Sequence, residues 1–420
     1  MIKLSVIIKY YLYSFLLLDA LSGFMRIYSG ITNPLFNVGY WVRGPILVLF
    51  LFYYLVKLKN KKLFIDEILA LIIFAYFIFN LILNYTIMPS ARMIIENIPY
   101  ILRQQFLIFL LVYLRNRFTF SEGLIKRVVI INFSILTLNL VIGYFLGFGL
   151  ESYRFSGTSK GMFQGGNPVS ILNLVFFTFF LMDGALRKKL IPIALTFFNG
   201  FVIASKSIFG FVIPIFFALK RRYLSLNKII FYNIFAIIII FSFDYMTNKA
   251  VELYEERFGL NINKSIAAAE RVGGLYDNKT LNNVASINFR RYASMNIQMG
   301  ESLDGFNSTF FGISLAGQNI FWERRGEFIF RHASMDFFDF FFKYGIVGTI
   351  LFIFILFRNY RLYISKIFNR DGLVFTLFFL YAFFGGHVID SVTSGSLFFF
   401  FLGKISGNNN QDRLTVNKGQ

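Results

Sequence analysis

His332, Asp336, Asp339 and Lys343 are the residues in this chain whose types and spacing best suit chemistry. They lie in the stretch Phe330–Gly348, where a long polar segment gives way to an apolar run. In a helix, Asp336 and Asp339 follow His332 at four and seven residues, and Lys343 follows Asp339 at four, which puts the set on roughly one face. A histidine titrates near neutrality and can take a proton from a hydroxyl. Carboxylates entering a membrane helix beside it are costly to bury, so such a face is expected to look into a cavity or a bundle interior. The chain has two histidines; the second, His387, stands three residues before Asp390.

The other candidates are cations: Arg154, Lys206, Arg290 and Arg291. Guanidinium groups grip phosphate oxygens in a bidentate fork, so arginines beside a histidine suit a phosphorylated, anionic ligand. The sequence contains no GxxxxGK[ST] loop and no HExxH pair, and the long polar segment has no Asp-x-Asp or Glu-x-Asp pair. Neither a metal site nor a cofactor is therefore expected. With no cysteine, thiol nucleophiles, thiolate metal sites and disulfides are excluded. Further acids inside apolar runs are Asp19, Asp183 and Asp390.

The elements that must carry these residues are membrane helices. The 420 residues are 56% hydrophobic and 20% aromatic, with 59 phenylalanines, far too apolar for a soluble domain. Runs near the ~20 residues needed to cross a bilayer recur along the chain. They predict an all-α, polytopic transmembrane bundle with about twelve spans, near 5–25, 42–57, 65–84, 98–114, 128–147, 168–184, 190–204, 207–219, 229–245, 334–357, 372–387 and 391–406. Nine spans thus occupy residues 1–245. A large outer-face loop occupies 246–333, three spans 334–406, and a polar tail, expected to be disordered, 407–420. No cleavable signal peptide is expected at the start.

Charge placement orients the bundle. Lys57, Lys59, Lys61 and Lys62, then Arg115, Arg117, Lys126 and Arg127, then Arg187, Lys188 and Lys189 follow every second span. Lys220, Arg221, Arg222 and Lys228, and later Arg358, Arg361, Lys366 and Arg370, continue the series. The alternate loops are poor in charge, with Arg26, Arg43, Arg92, Arg154, Lys160 and Lys206. This is the positive-inside pattern, and it predicts that both termini are cytoplasmic. It also explains most of the formal charge of +20 without an anionic partner, so nucleic-acid binding is not expected.

Four short motifs, in order, resemble the O-antigen polymerase and ligase family of bacterial inner-membrane glycosyltransferases. His332-Ala-Ser-Met-Asp, leading to Gly345-Ile-Val-Gly348, is similar to a His-Asn-Ser-like helix start followed by a Gly-x-x-Gly pair. Ser205-Lys206-Ser207 resembles a Ser-Arg-Ser turn. Arg154-Phe-Ser-Gly157 with Gly166-Asn167-Pro168 resembles an Arg…Gly…Asn-Pro segment. Arg290-Arg291 before Phe311-Gly312-Ile313 resembles an arginine ahead of a glycine-rich turn. Lysine at 206 and alanine at 333 depart from the pattern.

The resemblance implies a metal-independent glycosyltransferase that uses an undecaprenyl-pyrophosphate-linked oligosaccharide as donor. The acceptor would be another lipid-linked repeat unit for a polymerase, or a lipid A–core for a ligase. It implies His332 as the catalytic base; Arg154, Lys206, Arg290 and Arg291 as pyrophosphate-binding cations; and Asp336 and His387 as supporting residues. Membrane lipids and a chain-length regulator protein are the further partners implied. The departures suit a polymerase better than a ligase.

Each residue also has a structural reading. His332 can cap an interfacial helix end, Lys206 can snorkel, and Arg154, Arg290 and Arg291 can be solvated loop charges. Asp336 and Asp339 can pair with Lys343, and His387 can bond with Asp390 between helices. A lipid-linked oligosaccharide flippase is the rival from another class, although no inverted repeat is visible.

Reporter fusions after Lys59, Lys126, Arg187 and Arg358 are expected to report inside, and one at Asn283 outside. An inside signal at Asn283 would put the catalytic candidates in the wrong compartment.

Overall fold

The computed structural model describes residues 3–28, 37–147, 149–150, 158–163, 165–184, 186, 190–203, 210–220, 299, 303, 305–324, 336–358, 363, 365–366, 369–384, 386 and 388–416. Its regular elements are helices: α1 Leu4–Tyr28, α2 Val38–Lys59, α3 Ile65–Ile87, α4 Ala91–Asn116, α5 Glu122–Phe145, α6 Gly166–Met182, α7 Leu190–Ile203, α8 Val212–Lys220, α9 Phe306–Phe311, α10 Ser314–Arg324, α11 Asp336–Phe357, α12 Arg370–Phe384 and α13 Val392–Val416. Among the described residues there is no strand.

Six of these helices, α1 to α5 and α11, are long and apolar enough to cross a membrane; α6, α7 and the first part of α13 are shorter apolar helices. The polytopic, all-α expectation stands to that extent. The span expected at 229–245 lies outside the described residues. The last helix runs on to Val416, beyond the 406 expected for the span and into a tail expected to be disordered. Adding residues to an existing helix avoids the nucleation cost.

The bundle is arranged around α4. It packs on α2, α3, α10 and α13, and every residue from Gln104 to Arg115 is buried. The peripheral helices are one-sided instead. In α1 the buried set Ile8, Tyr11, Leu12, Phe15 and Leu16 follows the helical period, while Tyr10, Leu17 and Leu21 on the other side are exposed, as lipid-facing residues would be. Helix starts carry ordinary caps: Asn37 Oδ1 accepts from Gly39 N at 2.8 Å, and Ser121 Oγ from Leu124 N at 3.2 Å.

Within the stretch expected as the large loop, α9 and α10 pack back onto the bundle, against α11, α3 and α4. They do so at a break in α11, where Gly345 takes φ 64°. Gly312, between α9 and α10, takes φ 75°. The two glycines face each other: a Cβ on Gly312 would overlap the backbone of Tyr344 and Gly345, and one on Gly345 would overlap the Phe310 carbonyl. Left-handed φ and this approach both need glycine. The break frees carbonyls, and neighbours take them up. Phe342 O accepts from Ile313 N at 2.9 Å, and Tyr344 O accepts from the Tyr76 hydroxyl. Irregular backbone at membrane depth is tolerated where it is buried in protein in this way.

The end of the bundle that holds the C-terminus of α4 is tied by ion pairs. Arg115 donates to Ile355 O at 3.0 Å and Ser406 Oγ at 2.9 Å and lies 3.5 Å from Asp66, which also pairs with Arg358. Arg117 meets Glu67 at 2.8 Å. Asp183 joins Lys126 at 3.0 Å to Arg370 at 2.7 Å, and Glu122 joins Arg370 at 2.9 Å to Lys404 at 3.0 Å. Several of the cations that charge counting treats as solvated are therefore paired across helices.

Gly345→Ala is expected to destabilise the protein by about 1–3 kcal/mol from backbone strain alone, more with the displaced Phe310 carbonyl. Thermal unfolding in detergent, against Gly123→Ala, whose added methyl meets nothing within 4 Å, measures it. Equal midpoints would mean that the α9–α11 approach does not contribute.

Candidate functional site

At the opposite end of the bundle from that ion-pair network, a polar cavity of about 460 Å³ opens between helix termini. Its wall comprises Asp19 and Ser22 of α1; Asn37, Tyr40 and Arg43 around the start of α2; and Arg103 of α4. Phe163, Gly165, Gly166, Asn167 and Pro168 at the start of α6, with Asp390–Thr393 leading into α13, complete it. The short helix α6 begins at the cavity. At ~1.5 Å per residue the 17 residues of α6 fall short of the ~30 Å hydrocarbon core, and Phe163 and Gly165, just before its first turn, line the cavity.

Two arginines enter the cavity from different helices. Arg43 is buried. Its guanidinium pairs with Asp19, and its Nε donates to the Tyr11 hydroxyl at 3.3 Å, which is 2.7 Å from Ser396 Oγ. That chain joins α2 to α1 and α13. Arg103 sits over the Tyr100 ring, 4.8 Å from the centroid, and 3.7 Å from Asp390.

Asp390 is the centre of a second cluster. Lys343 Nζ reaches its Oδ2 at 3.0 Å, Gln104 Nε2 its Oδ1 at 2.9 Å, and the Tyr100 hydroxyl donates to the same oxygen. Lys343 also donates to the Tyr100 hydroxyl at 3.0 Å and lies 4.4 Å above its ring. With 1% of its side chain exposed, Lys343 needs that carboxylate. Asp336 fixes the same segment from below: its Oδ2 accepts from Val388 N at 2.7 Å and from Ile389 N at 2.8 Å. Beside the cavity, between α5 and α6, burial and then the neighbouring Arg26 charge pull the Lys160 ammonium below its ordinary value.

Of the residues singled out in the sequence, Asp336 lies in this assembly, as a buried clamp on the 388–390 turn. Gly166, Asn167 and Pro168 line the cavity. His332, His387, Arg154, Lys206, Arg290 and Arg291 lie outside the described residues. Lys343 pairs with Asp390. Arg43, read from the charge pattern as a loop residue, is inside α2. Arg103 escaped the sequence reading altogether, although a charge in the middle of the run expected at 98–114 is a functional signal in its own right. Compared with protein families and with curated proteins, the chain matches no family model and no curated sequence.

Asp390→Ala is expected to cost about 3–5 kcal/mol, because it leaves Lys343 buried without this carboxylate. Adding Lys343→Met should return most of the loss, measured by thermal unfolding of both variants. A double variant no more stable than Asp390→Ala would show that the pair is not the source.

Proposed function

We propose that this chain is a surface-polysaccharide polymerase of the O-antigen polymerase type. It would transfer the growing glycan from undecaprenyl pyrophosphate onto a new lipid-linked repeat unit at the outer face of the bacterial inner membrane. The observation that carries the reading is a convergence. Gly166-Asn167-Pro168 lines the cavity, and the His332–Gly348 stretch reaches the same place through Asp336 and Lys343, which hold the 388–390 segment. One motif of the resemblance thus lines a polar hollow in an apolar bundle, and a second, far away in the chain, holds the segment that forms part of its wall. In the charge-alternation reading, this end is the outer one.

The chemistry follows from the bonds exchanged. The acceptor hydroxyl loses its proton to His332, the proposed base. Its oxygen forms a bond to the donor C1 as the C1–O–phosphate bond breaks, and undecaprenyl pyrophosphate leaves with the electron pair. Arg154, Lys206, Arg290 and Arg291 are the proposed cations for the charge that develops on that leaving group. Exposed apolar helix faces such as those of α2 and α3 suit prenyl tails arriving through the membrane.

The break at Gly345, beside a buried lysine, favours one rival: broken helices flanking charged midplane sites are common in transporters. Purified protein in detergent separates the two, because a transporter forms no glycosidic bond there.

His332→Ala is expected to insert and express but to lower polymer formation by about 10²–10⁴-fold. Alanine at the acting one of Arg290 and Arg291 should be comparably severe, and lysine only a partial rescue, since a point charge does not reproduce the bidentate fork. Ladder length on gels, normalised to protein level, is the measurement. Near-normal ladders from His332→Ala would refute the base assignment.

A further inference from the structure

Among the described residues, the charges that line the cavity are balanced. Arg43 and Arg103 are matched by Asp19 and Asp390. A pyrophosphate placed here would meet two carboxylates along with its two guanidinium groups, and like charges close together in a low-dielectric setting are costly. Beside them the wall offers hydroxyls and amides, from Ser22, Asn37, Tyr40, Asn167, Ser391 and Thr393, between apolar residues and glycines. Two buried atoms on lining side chains, Asp19 Oδ2 and Arg103 Nε, have no hydrogen-bond partner among the described residues. One is an acceptor and the other a donor. Buried polar groups are normally satisfied, so such exceptions point to a ligand or water that completes them.

We propose that this cavity is the saccharide subsite of the enzyme. It takes neutral, polyhydroxylated sugar rings, and the pyrophosphate is held elsewhere. A hydroxyl both donates and accepts, so it can donate to a carboxylate and accept from a guanidinium at once. Arg43 with Asp19, and Arg103 with Asp390, stand side by side as pairs on the wall, so a hydroxyl seated over either pair meets an acceptor and a donor together. Tyr40 adds apolar ring surface. The volume falls in the ~300–1,000 Å³ range of small-ligand sites. Asp19 and Arg103 would set specificity, because a site built to bond hydroxyls rejects rings that lack them. This assignment deepens the polymerase reading and rests on it for the identity of the sugar's carrier.

The sign of one substitution tests the inference. Asp19→Asn removes an anion while keeping the shape. A sugar site should then bind more weakly, by about tenfold for a charge-assisted hydrogen bond, whereas a pyrophosphate site should bind more tightly. The full-length protein in detergent is titrated with a panel of neutral methyl glycosides and, separately, with inorganic pyrophosphate. Protection against thermal unfolding is the readout.

The result expected is protection by at least one glycoside that Asp19→Asn weakens. Thr393→Val, isosteric and at the first turn of α13, should weaken it by about two- to tenfold, and it serves if Asp19→Asn does not fold. No protection by any glycoside, or pyrophosphate protection that Asp19→Asn strengthens, would overturn the proposal. Glycoside protection without polymer formation would support this subsite and remove the polymerase reading. Polymer formation with glycoside protection indifferent to both substitutions would do the reverse.

Discussion

Burying arginine in an apolar bundle is the constraint on which this structure turns. Helix α4 runs through the centre and carries Arg103 and Arg115, twelve residues and about 18 Å apart along its axis. Neither can be left without partners at that depth. Arg115 draws in Asp66 of α3, the Ile355 carbonyl of α11 and Ser406 of α13. Arg103 faces Asp390, which brings the start of α13 and Lys343 of α11 to the same point. Two charges on one helix thus set how α3, α11 and α13 pack against it at one end and how α11 and α13 do at the other. Packing of phenylalanine and leucine is non-directional and would accept many registers; the ion pairs select one.

The positions of the helices were largely legible in the sequence, because apolar runs bounded by charge need no tertiary information. Four things were not. Hydropathy counts residues and not partners, so Arg115, Arg117, Lys126 and Arg370 look like solvated loop cations until Asp66, Glu67 and Asp183 are placed against them. Arg43 is close to a helix start and reads as a loop charge, yet it is buried because Asp19 comes from the preceding helix. The break at Gly345 reads as a continuous helix; only the approach of Gly312 reveals why both positions are glycine. The helix continuing to Val416 is polar and carries no hydropathy signal.

The candidate site was legible in part. Gly166-Asn167-Pro168 and the His332–Gly348 stretch stand out by motif; the first lines the cavity, and Lys343 of the second bonds to Asp390, which lines it. Arg103 and Tyr100 have no motif around them. Their role depends on Asp390, which is 287 residues from Arg103 in the numbering, and no local pattern encodes a pair so far apart. Asp336 was legible as an unusual acid at a helix start on a face expected to look into a cavity or a bundle interior; it is in the interior, where it binds two backbone amides of another segment. Spacing on a helix says which residues share a face, not what that face will meet.

The glycine pair explains how the site reaches its position. A continuous α11 would carry Lys343 on a straight helical path and leave Gly312 no backbone to approach. With Gly345 left-handed, the residues before it form a separate short helix whose direction is set by α9 and α10. Asn80 of α3 donates to the Phe311 carbonyl, and Asn97 of α4 bridges Ser314 Oγ at 3.1 Å and Ala316 N at 3.1 Å. The polar segment is therefore attached to α3 and α4 at the point where it redirects α11. Lys343 lies two residues before the break and meets an aspartate presented by the α12–α13 connection. Movement of the α9–α10 segment is then passed to Lys343 and, through their 3.0 Å bond, to Asp390. The α9–α10 segment is thereby linked to the 388–390 turn at the cavity wall, through two glycines that no other residue can replace without strain.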